Sequence, residues 1–140
     1  MATQESVNER TRILSWVLSI LFIGTIICIA YFFFGHILKD YLQRTEFNSE
    51  IWKDTKTAHN PPYPRLRMVD DLLRRNELIG MNREEVVALL GERDNVGYFP
   101  EYEFVYFLGP QRSFIRLDSE WLVMNLDAEG NVSEVWIGYN

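Results

Sequence analysis

Cysteine and histidine are nearly missing from this chain. The single cysteine, Cys28, permits no internal disulfide and says nothing about redox compartment, and its apolar surroundings make it an inert thiol. The two histidines, His36 and His59, stand apart from each other and from Cys28, so no ligand set with ordinary metal spacing can be built and neither metal nor cofactor is expected. Positive charge is short as well. From Glu46 to Asn140 seventeen Asp and Glu face ten Lys and Arg, a balance of −7, which is a poor match for a phosphate backbone and excludes a nucleic-acid partner. No internal repeat and no low-complexity tract is present.

The most telling absence is local. Between Ile13 and Leu38 there is no Asp, Glu, Lys or Arg, although the 140 residues as a whole are 24% charged. Ile13 to Phe34 is 22 residues, about 33 Å at the helical rise, which matches a hydrocarbon core. Ser15, Ser19 and Thr25 can return their hydroxyls to carbonyls one turn back, while Trp16 and Tyr31 to Phe34 resemble interfacial aromatic belts. Arg10 and Arg12 would suit a signal peptide, but the run is too long and Tyr31 to Phe34 occupies the place where a small-residue cleavage triplet would lie. Thr25, Ile26 and Ile27 before Cys28 do not resemble a lipobox. The expectation is an N-terminal tail over 1–12 and one uncleaved transmembrane helix over 13–38, contacting lipid through Ile13 to Phe34. Arg10 and Arg12 on one side nearly balance Lys39, Arg44 and Lys53 on the other, so charge does not orient it.

Removing this stretch leaves a part near the small end of independently folding domains, which excludes a large enzyme with a two-domain cleft. Residues 39–64 read as the end of the membrane helix, with Ile37, Leu38, Tyr41 and Leu42 at helical spacing and His36 interfacial, followed by a linker. Pro61, Pro62 and Pro64 lack amide donors, so roughly 46–64 is expected to be extended.

Residues 65–140 read as one α+β domain. Leu66, Val69, Leu72 and Leu73 recur with helical period, and Asp70 with Arg74 and Asp71 with Arg75 are (i, i+4) pairs expected on the wet face. In a second helix Asn82 and Glu85 give a capping box, Met81 and Val86 a hydrophobic staple, Val86, Leu89 and Leu90 the buried stripe, and Gly91 the stop. Glu101 to Leu108, Trp121 to Leu126 and Val132 to Ile137 are short aromatic and branched runs that predict strands, with Phe114 to Leu117 a brief strand or turn. Asp127 to Asn131 is hairpin length, which makes the last two strands antiparallel.

The order helix, Leu78 to Glu92, tyrosine-rich strand, Trp121 to Val132 resembles the SmpA/OmlA (BamE-like) domain, whose fold is shared with β-lactamase inhibitory proteins. The resemblance covers about 65–139 and rests on the Gly-Met-Asn phrase that opens the second helix and the Asp-x-x-Gly-x-Val hairpin. It implies two helices packed on a three-stranded antiparallel sheet, and a non-enzymatic envelope module that docks on other proteins through sheet aromatics. A spanning helix stands here where that family's lipoproteins carry a lipidated cysteine, so only the fold and the binding habit carry over.

No chemical constellation assembles in the sequence. Ser113, Ser119 and Ser133 lack a nucleophile elbow, and Asp127 to Asn131 is a turn without the alternating ligands of a calcium loop. Tyr98, Phe99, Tyr102, Tyr106, Trp121, Trp136 and Tyr139 are too many for one face of a small sheet. Tyr106, Trp121 and Trp136 are therefore the candidate partner-binding residues. Two readings stay open: a single-pass membrane protein presenting a protein-interaction domain in envelope assembly or maintenance, or a membrane-tethered ligand sensor or enzyme using Arg65, Arg67, Arg112 and Arg116 with Asp118 and Glu120. The expected location is a bacterial cytoplasmic membrane, with the domain leaning to the extracytoplasmic side.

Overall fold

The computed structural model describes residues 2–95, 97–113 and 116–140. It divides into two compact units, 1–38 and 39–140. The first is formed by α1, one helix over Ala2–Leu42 whose last turn belongs to the second unit. Residues 2–12, expected as a tail, are helical too, since a helix once nucleated extends at low cost through residues such as Gln4, Glu5 and Glu9. The stretch Glu9–Gly35 is long and apolar enough to cross a membrane, and none of it is buried. An unburied helix that is apolar all round is compatible with single-pass insertion and does not suit a soluble core. Its hydroxyls close on the preceding turn, Ser15 on Arg12 O at 2.8 Å, Ser19 on Ser15 O at 2.9 Å and Thr25 on Leu21 O at 2.8 Å. Internal satisfaction of this kind is what a hydrocarbon surrounding demands.

The second unit is an α+β fold. Two short helices, α2 (Ser49–Lys53) and α3 (Thr55–Ala58), precede α4 (Pro64–Arg75) and α5 (Arg83–Leu90), and the chain ends in an antiparallel sheet β1 (Phe104–Pro110), β2 (Ser119–Leu126), β3 (Val132–Tyr139) in that spatial order. The stretch 46–64 is thus no linker. Asn48 caps α2 by accepting from Ile51 N at 3.1 Å, Asp54 caps α3 by accepting from Lys56 N at 3.0 Å, and Trp52 and Ala58 are fully buried. Pro64, expected to forbid a helix, opens one, because the first helical position has no use for an amide proton.

The capping box at α5 is present in full: Glu85 N donates to Asn82 Oδ1 at 3.0 Å and Asn82 N donates to Glu85 Oε2 at 2.9 Å. Gly91 follows at φ +80°, its N–H donating to Val87 O at 2.8 Å. Side-chain alternation then sends Phe104, Tyr106, Leu108, Leu122 and Met124 into a core shared with Trp52, Met68, Val69, Leu72, Val86 and Leu90. The opposite face, with Val105, Trp121 and Val123, is covered by Phe99 and Tyr102 from the connection that follows α5. Two glycines are dictated by this packing. A Cβ on Gly109, at φ +151°, would lie 3.0 Å from Leu66 and 3.1 Å from Tyr63, and one on Gly138 would lie 2.9 Å from the Phe99 ring.

The expected strands start and stop within a few residues of the observed ones, and β2 and β3 form the hairpin over Asp127 to Asn131. Phe114 and Ile115, expected as a brief strand or turn, lie outside the described residues.

Candidate functional site

Charged groups that the sequence offered for ligand chemistry close on different partners. Arg65, at 1% exposure, donates from Nε to Trp52 O at 2.9 Å and from a terminal nitrogen to Asp94 Oδ2 at 2.8 Å, with its guanidinium over the rings of Trp52 and Tyr106. Asp94 also accepts from Phe107 N at 2.7 Å and donates its own N–H to Val105 O at 2.9 Å, which covers the outer edge of β1. Tyr106 completes this hub by donating its hydroxyl to Gly91 O at 2.7 Å, and burial pushes that hydroxyl's pKa above its ordinary value, so it stays a neutral donor.

Elsewhere Arg67 donates to Gln43 Oε1 at 2.9 Å, and Arg116 pairs with Asp40 at 2.5 Å. Arg112 holds Glu120 at 2.9 Å and Asp70 at 2.6 Å, and Asp70 also takes Arg44 at 2.9 Å. Burial works against the charge on Arg112, yet Glu120 and then Asp70 more than offset it and raise its pKa. Of the six residues in the ligand-sensor reading, only Arg112 and Glu120 meet. Asp118 is exposed, and its carbonyl accepts from Gln111 N.

The acidic pair on α4 also differs from expectation. Asp70 faces Arg44 and Arg112 and makes no pair with Arg74. Asp71 keeps its bond with Arg75 at 3.0 Å but is buried, taking Arg74 as well and accepting from Phe47 N at 2.8 Å. The segment 43–48 runs beside this position and supplies the backbone N–H that a buried carboxylate requires.

His59 lies 3.5 Å from Asp94 and its ring stacks on Phe107 at 5.2 Å. Among the described residues no hydroxyl or thiol bonds to His59, and no group of three or more His, Cys, Asp or Glu is placed to hold a metal ion.

The aromatic candidates separate. Tyr106 is fully buried on the helix-covered face, and Trp121, 4% exposed, lies beneath Tyr98 at 5.6 Å, Phe99 at 6.2 Å and Phe107 at 5.0 Å. Both are buried in the isolated chain rather than presented at its surface. Trp121 is covered by the chain's own connection between α5 and β1, which composition does not reveal, while Tyr98 and Tyr139 stay exposed. Of the three candidates Trp136 alone keeps part of its surface open, edge-on to Tyr102 at 4.7 Å.

Trp136 lies on the strand where the open feature of the domain is found. Ser119 and Asn140 exchange both backbone bonds, so by antiparallel alternation Gly138, Trp136 and Glu134 turn their backbone toward β2, whereas Val135, Ile137 and Tyr139 turn theirs outward. At the start of the strand the outward position is filled: Gly80 N donates to Val132 O at 2.8 Å and Val132 N to Met81 O at 2.8 Å. The chain then leaves the edge, and at Val135, Ile137 and Tyr139 no described residue takes its place. On the helix side this edge borders a mixed pocket of about 250 Å³ lined by Leu72, Leu73, Asn76, Leu78, Ile79 and Val135. On the other side a groove of about 640 Å³ runs along Tyr102, Ser133, Glu134 and Trp136.

A free row of strand donors and acceptors between two side-chain recesses can accept an added strand. The sequence signals it only weakly, through the alternation of β3. The chain matches no protein-family model, no curated protein and no solved structure.

Proposed function

We propose that this is a single-pass membrane protein whose 39–140 unit binds another protein by strand addition along the open edge of β3. The observation that carries it is the run Val135, Ile137, Tyr139, whose outward backbone no described residue pairs, flanked by a pocket between α4 and β3 and an open groove along Tyr102 and Trp136. Main-chain bonds supply affinity in this mode, and the alternate recesses select the incoming side chains. Trp136 is the aromatic of the candidate set that remains available to such a partner. The succession of α4, capped α5 and three-stranded sheet supports the proposed kinship with SmpA/OmlA domains, and with it a binding rather than a chemical role in envelope assembly or maintenance; that kinship, and not charge, is what leans the domain to the extracytoplasmic side of a bacterial cytoplasmic membrane.

The test is a proline at an outward position. Val135→Pro removes an N–H that β2 does not use, so the sheet survives while an incoming strand loses a donor and meets the ring. Photo-crosslinking from position 137 in membranes is expected to give a defined product in the wild type and none in folded Val135→Pro. An equal product from both chains overturns strand addition.

A further inference from the structure

Resting on the membrane anchor of that reading and independent of strand addition, we infer that the connection between β1 and β2 makes a second contact with the bilayer, inserting Leu117 at the interface where α1 emerges. Leu117 is 82% exposed, more than any other large apolar side chain among the described residues, those of the charge-free run included. One exposed leucine is ordinary on a protein surface. Its place in the fold makes this one different.

The connection is tied at two points to the segment that leaves the membrane. Arg116 pairs with Asp40 at 2.5 Å, and Arg112 holds Asp70, which in turn takes Arg44. Asp40 stands two residues past Leu38, where the charge-free run ends. Two residues reach at most about 7 Å, and the headgroup layer is about 5–8 Å deep on each side of the hydrocarbon. Covalent geometry alone therefore keeps the carboxylate that Arg116 grips at headgroup level, and Leu117 is the next residue along. Tyr41 and Leu42, which follow Asp40, are 60% and 71% exposed, so apolar side chains on both sides of the ion pair lack cover from protein, as those of the spanning run do. Asp40 neutralises Arg116, and Asp118 adds a negative charge. Insertion of apolar surface, not attraction to anionic lipid, thus supplies the contact, and neutral lipid suffices.

The full chain in phosphatidylcholine vesicles tests this, with Cys28→Ser removing the native thiol and an environment-sensitive fluorophore on one introduced cysteine. From Leu117→Cys the emission is expected to be blue-shifted and to fall about twofold when the vesicles carry nitroxide-labelled phosphatidylcholine, because interfacial side chains sit about 5–10 Å into the headgroup boundary. The exposed position of Leu117 lets this substitution leave the fold intact. Glu129→Cys, in the hairpin at the far end of β2, lies about 23 Å away along the strand and should stay unquenched. Phe22→Cys, inside the span, reports the anchor itself. Quenching at 22 without quenching at 117 overturns the second contact and leaves the anchor in place. No quenching at either position overturns the anchor and this contact with it. Equal quenching at 117 and 129 overturns a contact particular to this connection, and a blue shift at 117 without quenching shows protein as its cover and overturns the lipid contact. In a folded Asp40→Asn chain the quenching at 117 should weaken, and an unchanged value overturns the ion pair as the tether.

Discussion

At the residue scale the domain rests on a few buried polar groups that must be answered in place. Asp71 is held below the usual carboxylate range chiefly by the Phe47 N–H, then by Arg74 and Arg75, against the opposing effect of its own burial. A depressed folded-state pKa contributes stability that is complete above the unfolded value and is lost as pH falls through the folded one. Asp71→Asn should therefore melt below the wild type at neutral pH. The gap should begin to narrow below about pH 4, where the unfolded carboxyl protonates, and close as pH falls through the lower folded value, as followed by tryptophan fluorescence in detergent. Arg65 poses a sharper case, because its guanidinium is out of water and its loss leaves the Asp94 carboxylate with only the Phe107 N–H and the more distant His59. Removing one partner of a buried pair costs on the order of 3–5 kcal/mol, so Arg65→Met should lower stability by about that much in a chemical unfolding curve, and far more than Arg67→Met, whose partner is the neutral Gln43. Neither role is legible in a linear reading. Arg65 and Asp94 are 29 positions apart, and nothing in the period of α4 marks Arg65 as the partner of an acid beyond α5.

At the element scale, local punctuation was readable wherever a helix was long enough to carry a period. Asn82 and Glu85 form both bonds of the capping box, and Asn82→Ala should cost about 1 kcal/mol, seen as a modest drop in melting temperature with unchanged far-ultraviolet dichroism. The helices α2 and α3, of five and four residues, are too short for any period to show, so their stretch reads as loop. The caps Asn48 and Asp54 and the large apolar Trp52 were their available signals. Gly109 illustrates another requirement that only packing imposes. At its positive φ, with Leu66 and Tyr63 against it, Gly109→Ala should destabilise the β1–β2 pairing by more than the ~1 kcal/mol typical of a point change, measured by the same melt.

At the scale of the whole molecule, the boundary of the second unit follows from where the core draws its side chains. Trp52 packs on Phe47 at 5.8 Å and on Tyr106 at 6.1 Å, so a chain beginning at 65 loses a central tryptophan and exposes the face of the sheet beneath it. Loss of one large core aromatic costs on the order of 3–5 kcal/mol, comparable to the whole stability of a small domain. A 39–140 fragment is expected to give a cooperative thermal transition and a 65–140 fragment none; two equally cooperative melts would refute this boundary. The sequence by itself determined the apolar helix, the α+β class, the capped α5 and the antiparallel hairpin, because each is written in contiguous residues through charge exclusion, period or turn chemistry. Tertiary structure alone decided which aromatics are core, which carboxylate is buried and which sheet edge stays open. Those outcomes depend on what a distant segment brings alongside: the connection after α5 covers Trp121, residues 43–48 meet Asp71 with the Phe47 N–H, and Gly80 and Met81 occupy the first part of β3, beyond which no described residue pairs with its edge.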